Sequence, residues 1–160
     1  MPKPVVLPKK FEPGFVAALK KVFEESIRFN RVLGLKITAI EPERAEGSIA
    51  MRDDLVGHFH YNRVHGGVIS AGLDAMGGLA VMAALGARHM DEPIAQRLAR
   101  FSRIGTIDLR VDYLRPGIGE HFLLQATVMR IGSRVATTRM EFHGGDGTLL
   151  STGTAAYIVS

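Results

Sequence analysis

The stretch His65-Gly66-Gly67-Val68-Ile69-Ser70-Ala71-Gly72-Leu73-Asp74 sets two glycines at the head of an apolar run and one carboxylate nine residues after the histidine. Apart from His65 and Asp74, no side chain between Val64 and Leu85 ionises. Val68, Ile69, Leu73, Met76, Leu79, Val81 and Met82 make this run apolar on nearly every helical face, and Ala71, Gly72, Ala75, Gly77 and Gly78 let other backbone come close. A helix apolar all round belongs inside a domain. The run therefore predicts a central buried helix from Gly67 to about Leu85, with Gly86 as its C-terminal stop. A charge removed from water costs several kcal/mol unless it is paired or working, so Asp74 needs a partner or a function.

Around this helix the chain reads as strands. Lys36 to Ile40 and Ala45 to Met51 flank the turn Glu41-Pro42-Glu43-Arg44 and predict a hairpin. After the helix, strand-like runs cover Thr106 to Leu114, Phe122 to Ile131, Val135 to His143 and Thr148 to Val159, separated by turn signals such as Arg115-Pro116-Gly117 and Gly132-Ser133. The cluster His58, His60 and His65, with Asp53 and Asp54 nearby, reads as a polar loop over a ligand cleft. Residues 91 to 103 read as a short surface helix with Arg97, Arg100 and Arg103 recurring every third residue. Two strands, one long helix and four strands with short connections predict an α+β fold, a curled antiparallel sheet wrapped around one central helix.

At the amino terminus, Phe15, Ala18, Leu19, Val22, Phe23 and Ile27 recur at helical spacing, which predicts an amphipathic helix over 13–31 after an extended tail, 1–12. The 160 residues, 46% hydrophobic, form one domain, 1–160, large enough to bury a core. There are no cysteines, which excludes disulfides, thiolate metal sites and cysteine nucleophiles. The amino-terminal residues lack the apolar core and cleavage site of a signal peptide, so the expected location is cytoplasmic. An aspartate mid-helix argues against membrane insertion. A net charge of +4 with 7% aromatic residues is no nucleic-acid footprint.

The chemistry follows from the helix start. Its first amides lack intrahelical acceptors, and the helix dipole favours negative charge there, so Gly66 and Gly67 are candidate donors to an oxyanion. His65 is placed to orient that turn or touch the ligand. Asp74 is the candidate base or nucleophile. From Gly67 to Asp74 is roughly 10 Å along the axis, too far to serve one carbonyl within one chain. Two copies with antiparallel helices across a two-fold axis would bring Asp74 of one to the glycines of the other, in two composite sites. His143-Gly144-Gly145 repeats the tripeptide, but Asp146-Gly147 follows it between strand patterns, which marks a hairpin turn.

Other signals are weaker. His58, His60 and His65 have no matching helical or carboxylate motif for a metal, and none is expected. Ser70 in Gly67-Val68-Ile69-Ser70-Ala71-Gly72 has one residue too many before it for a nucleophile elbow. Arginines 97, 100, 103, 115 and 134 are candidates for phosphate contacts, Arg115 and Arg134 above the rest because they sit at strand-end turns.

The run HGGVISAGLDAMGG, followed after a spacer by RLARFSRIGTIDLRVDYLRPG, resembles the hotdog-fold thioesterases of the PaaI-like group, especially its YigI-type acyl-CoA thioesterase branch. The likeness spans roughly residues 29 to 159. It implies a hotdog fold, dimers that pair into tetramers, and hydrolysis of medium- or long-chain acyl-CoA thioesters without a cofactor, coenzyme A entering as part of the substrate. By position, Asp74 falls on the family's catalytic carboxylate, Gly66 on its oxyanion amide, and His65 and Gly67 on the rest of that motif. Where similar sequences read Val-Gly-Asn, this chain reads Val56-Gly57-His58. His58, Asn62, Arg115 and Arg134 are thus the expected substrate-binding residues. The rival expectations are a non-catalytic acyl-CoA sensor on the same fold and a hotdog hydratase or dehydratase.

Overall fold

The computed structural model describes residues 10–160; of the expected extended tail, residues 1–9 lie outside the described part. Six antiparallel strands form one sheet in the order β1-β2-β6-β7-β8-β5. They are β1 (Lys36–Glu41), β2 (Arg44–Ala50), β5 (Gly105–Tyr113), β6 (His121–Ile131), β7 (Val135–Gly144) and β8 (Leu149–Ile158). Their period-two alternation turns Ile49, Phe122, Leu124, Ala126, Met140, Phe142 and Tyr157 inward, where all are buried. They close on α3 (Gly66–Arg88), whose Leu73, Met76, Leu79 and the run Ala80 to Ala83 are without solvent contact. Among the described residues, the one helix long and apolar enough to cross a membrane is thus the core around which the sheet curls. This is the expected architecture, and the second His-Gly-Gly does end β7 at a hairpin turn, with Gly147 at φ +85°.

Four local expectations are corrected. The helix expected over 13–31 is broken into α1 (Pro13–Lys21), one wide turn (Val22–Ser26) and α2 (Arg28–Leu33), with Ile27 extended between them. The Ile27 N–H donates to the Val22 carbonyl, five residues back, and the buried Asn30 side chain takes the Phe23 carbonyl at 2.9 Å. A side chain thus satisfies the acceptor that a regular helix would give to Ile27, and the chain turns there. Gly86 does not stop α3. A Cβ on it would lie 2.3 Å from Phe15 Cζ, so the glycine instead lets the α1 ring seat against the helix. Residues 53–62 form a one-turn 3-10 segment (Asp53–Leu55) and most of a small hairpin, β3 (Val56–His58) with β4 (Tyr61–Val64), rather than a loop.

The surface helix expected over 91–103 is two short pieces, α4 (Ile94–Ala99) and a 3-10 turn (Arg100–Arg103). Arg97 is not on the surface. It is 1% exposed, ion-paired with Glu12 and stacked 4.2 Å over the Phe15 ring. Only one arginine of the three faces inward because α4 is too short to carry a stripe, and a buried guanidinium survives there on its carboxylate and ring.

Candidate active site

Asp74 sits half-buried on α3, and its environment is built by two strands that the sequence places far away. Thr106, in the first turn of β5, donates a 2.8 Å hydrogen bond to Asp74 Oδ1. Tyr157, its register partner on β8, aims its hydroxyl at the same residue, 2.9 Å from the main-chain carbonyl and 3.3 Å from Oδ1. The register of β5 shifts between Thr106 and Asp108, a bulge that marks where Thr106 turns toward the helix. Gly77 makes room for the phenol: a Cβ there would meet Tyr157 Oη at 2.1 Å. Burial, then the Asp74 charge and the hydrogen bond to it, raise the Tyr157 pKa well above the phenol's ordinary value, so its hydroxyl stays protonated as a donor. One carboxylate oxygen is thereby held, and Oδ2 has no protein donor among the described residues.

The other group of candidate residues lies at the start of α3. His65 is the N-cap: its Nδ1 accepts the Gly67 N–H at 2.8 Å, which fixes the ring as the tautomer protonated on Nε2. The Val68 N–H goes to the His65 carbonyl. Of the two glycine amides, Gly67's is thus committed to its own cap. Gly66's is left as the helix-end donor without an intrachain acceptor among the described residues. The Tyr113 hydroxyl, near the far end of β5, donates to the Gly66 carbonyl at 2.9 Å and fixes that peptide. A second cleft opens here, lined by Arg63, Gly66, Ile69, Tyr113 and Arg115.

Asp74 and the Gly66 amide are eight residues apart on a straight helix, roughly 12 Å along the axis. They do not face one carbonyl in a single chain. β5 touches both: Thr106 at one end holds Asp74, and Tyr113 near the other holds Gly66. This strand is the edge of the sheet, and its outer side is unpaired among the described residues.

The remaining candidates separate. Arg115 lines the Gly66 cleft, its guanidinium donating to the Leu149 carbonyl at 3.0 Å. Arg134 sits at the opposite end of the sheet, its carbonyl accepting the Val159 N–H. Nine residues of β8 part the two, roughly 30 Å, so they do not serve one phosphate group in one chain. His58 lies in the β3–β4 hairpin, stacked on Phe59 with ring centroids 5.5 Å apart. Asn62 lines a shallow cleft with Arg52, Asp53 and Glu120. No three metal-binding side chains gather among the described residues. Ser70 donates back to the Gly67 carbonyl at 3.1 Å, the ordinary habit of a helical serine.

Thr106, Tyr157 and Tyr113 are not among the site residues that the sequence points to. Thr106 and Tyr113 carry no local motif. Tyr157 did carry one: it falls at an inward position of an alternating strand, and a buried phenol needs a partner for its hydroxyl.

Comparison with known proteins agrees with this fold. The thioesterase superfamily model matches residues 61–151. The medium/long-chain acyl-CoA thioesterase YigI of Escherichia coli is 37% identical over 139 residues, covering 87% of this chain and 90% of that protein. A Shewanella oneidensis crystal structure, described as related to the thioesterase superfamily, is 38% identical with a TM-score of 0.85, covering 94% of this chain and all of that one. A Haemophilus influenzae thioesterase at 18% identity and TM-score 0.72, covering 96% of this chain and 94% of that one, is similar in fold.

Proposed function

The chain belongs to the thioesterase superfamily, and from that premise we propose that it hydrolyses medium- or long-chain acyl-CoA thioesters at composite sites between two copies of itself. The observation that carries the reading is Asp74, a carboxylate held through Oδ1 and facing a largely apolar cleft at one end of an edge strand, with Oδ2 and the strand's outer side without a partner among the described residues.

The edge strand supports the dimer. Antiparallel pairing of β5 with a second copy sets the Thr106 end of one strand against the Tyr113 end of the other. Asp74 then approaches the partner's Gly66, the amide its own helix places out of reach. Oδ2 takes a proton from water attacking the thioester carbonyl, or attacks that carbon itself. The partner's Gly66 N–H and helix dipole receive the charge that develops on oxygen. Collapse of the tetrahedral adduct breaks the carbon–sulfur bond and releases coenzyme A. In the first route the thiolate takes up the proton held by Asp74 and the free acid leaves. In the second the anhydride left on Oδ2 is hydrolysed by water to the free acid and the Asp74 carboxylate. Arg115, at the cleft beside Gly66, is the phosphate contact this arrangement favours, and His58 and Asn62 flank the substrate's approach. Coenzyme A enters with the substrate, and the chain supplies the rest. The cytoplasm is the compartment that suits such a substrate.

The test is a panel of acyl-CoA thioesters scored by free-thiol release. Wild type turns over, and Asp74→Ala loses at least about a hundredfold in kcat while folding and binding acyl-CoA. Binding of acyl-CoA by wild type with no thiol release would make the protein a sensor. Full activity in Asp74→Ala would remove the mechanism.

A further inference from the structure

Beside Asp74 a cleft of about 250 Å³ runs between α3 and the amino-terminal segment. Its α3 wall is made of Ala71, Ala75 and Gly78, and its opposite wall of Phe23, Phe29 and Phe101. Burial orders the aromatic wall. Phe29 is 59% exposed and forms the rim, whereas Phe23 is 2% exposed and forms the floor, closed edge-on by Phe101 with centroids 5.5 Å apart. Asp74 is the cleft's one charged residue, and Asn30, its one amide, is spent on the Phe23 carbonyl. The hydroxyls of Thr106 and Tyr157, which also line the cleft, are spent on Asp74, so beyond that carboxylate the lining offers a polar acyl group no free side-chain donor.

Gly78 sets the width. A Cβ there would meet only Tyr157 Cε1, at 3.9 Å, whereas a Cβ on Gly77 or Gly86 would collide with a packed ring. The space left by Gly78 is cleft, one helical turn beyond Asp74. Phe23 and Phe29 lie outside the 61–151 matched by the family model, on the segment that the wide turn at Val22–Ser26 bends over α3.

Resting on the hydrolytic reading above, we infer that this cleft takes the unbranched aliphatic chain of the acyl group, and that Gly78 and the Phe23–Phe101 pair determine the chain length accepted. The carbonyl sits at Asp74 and the chain runs inward past Gly78 until it meets the rings. Gly78 adds width where a side chain would end the cleft early. The floor ends it otherwise.

The test is the ratio of kcat/KM along a ladder of saturated acyl-CoA substrates from butyryl to palmitoyl, with Kd for the same ladder measured on the Asp74→Asn protein. Gly78→Ala lowers the preference for the longest chain that wild type favours over butyryl by about tenfold, and Gly78→Leu lowers it further, since one methylene in an apolar pocket is worth about that factor or more. Phe101→Ala raises it for the next longer homologues. Wild-type and Gly78-variant profiles that superimpose after scaling would overturn the inference, and Gly78→Ala keeps it testable should Phe101→Ala not fold. If wild type releases no thiol from any member, the hydrolytic reading fails by itself. The Kd ladder, measured on Asp74→Asn with and without Gly78→Leu, then decides the cleft: a shift in chain-length preference on adding Gly78→Leu upholds it, and none refutes it.

Discussion

Thr106 and Tyr157 face each other across β5 and β8 as register partners, and both direct hydroxyls at Asp74. Two strand residues, 32 and 83 positions downstream, hold one carboxylate on the central helix.

Thr106→Val removes the donor to Oδ1 while keeping the shape of the side chain. Activity falls about tenfold, the worth of one hydrogen bond to a charged group, and stability changes little because the site is half open to water. Steady-state kinetics beside a urea titration separates the two. An equal loss in both would make Thr106 a structural residue.

The proposed composite site predicts complementation. Gly66→Pro removes the amide at the first helical position, where proline fits and where His65 already has the extended backbone a following proline prefers. It and Asp74→Asn are each expected to be nearly inactive alone. Mixed after unfolding and reassembly, half of the dimers pair unlike chains and each of those carries one intact site, so about a quarter of wild-type activity returns. No recovery above the sum of the two would place both groups in one chain's site.

Tyr157 gives an alkaline signature. Its folded pKa is raised above the ordinary value near 10, so above that pH the unfolded chain loses the proton while the folded chain keeps it. The stabilising contribution is complete below about pH 10 and declines as pH rises beyond it. Urea midpoints from about pH 9 to about pH 11 fall more steeply in wild type than in Tyr157→Phe. Parallel slopes would mean that the phenol is not held as described.

His65 caps α3 through Nδ1, so His65→Asn, itself a good cap, keeps the helix start, and His65→Ala costs about 1 kcal/mol. Chemical denaturation reads the difference directly. Equal stability in Asn and Ala variants would show that the cap carries no weight.

Arg97 predicts a larger loss. Arg97→Ala leaves a cavity beneath Phe15 and removes the partner of Glu12, and costs about 3 kcal/mol in urea unfolding, well beyond the effect of any surface arginine. Arg103→Ala, exposed in the 3-10 turn, is the control and stays within about 0.5 kcal/mol of wild type.

The sequence by itself determined the central helix, the two-plus-four strand order of the main sheet and which helix-end amides and carboxylate are the candidates for the chemistry, because hydrophobic period, turn residues and helix-end amides are local properties. It also determined that Gly66 and Asp74 are too far apart to share a carbonyl, since helix rise depends on residue count alone. Only the tertiary structure decided which hydroxyls hold Asp74. Strand register and a bulge at the end of an edge strand are set by long-range pairing and leave no pattern near Thr106. The break at Ile27 and the burial of Arg97 belong to the same class. Each follows from what the amino-terminal segment packs against, and a helical stripe or an arginine run specifies the face but not its partner.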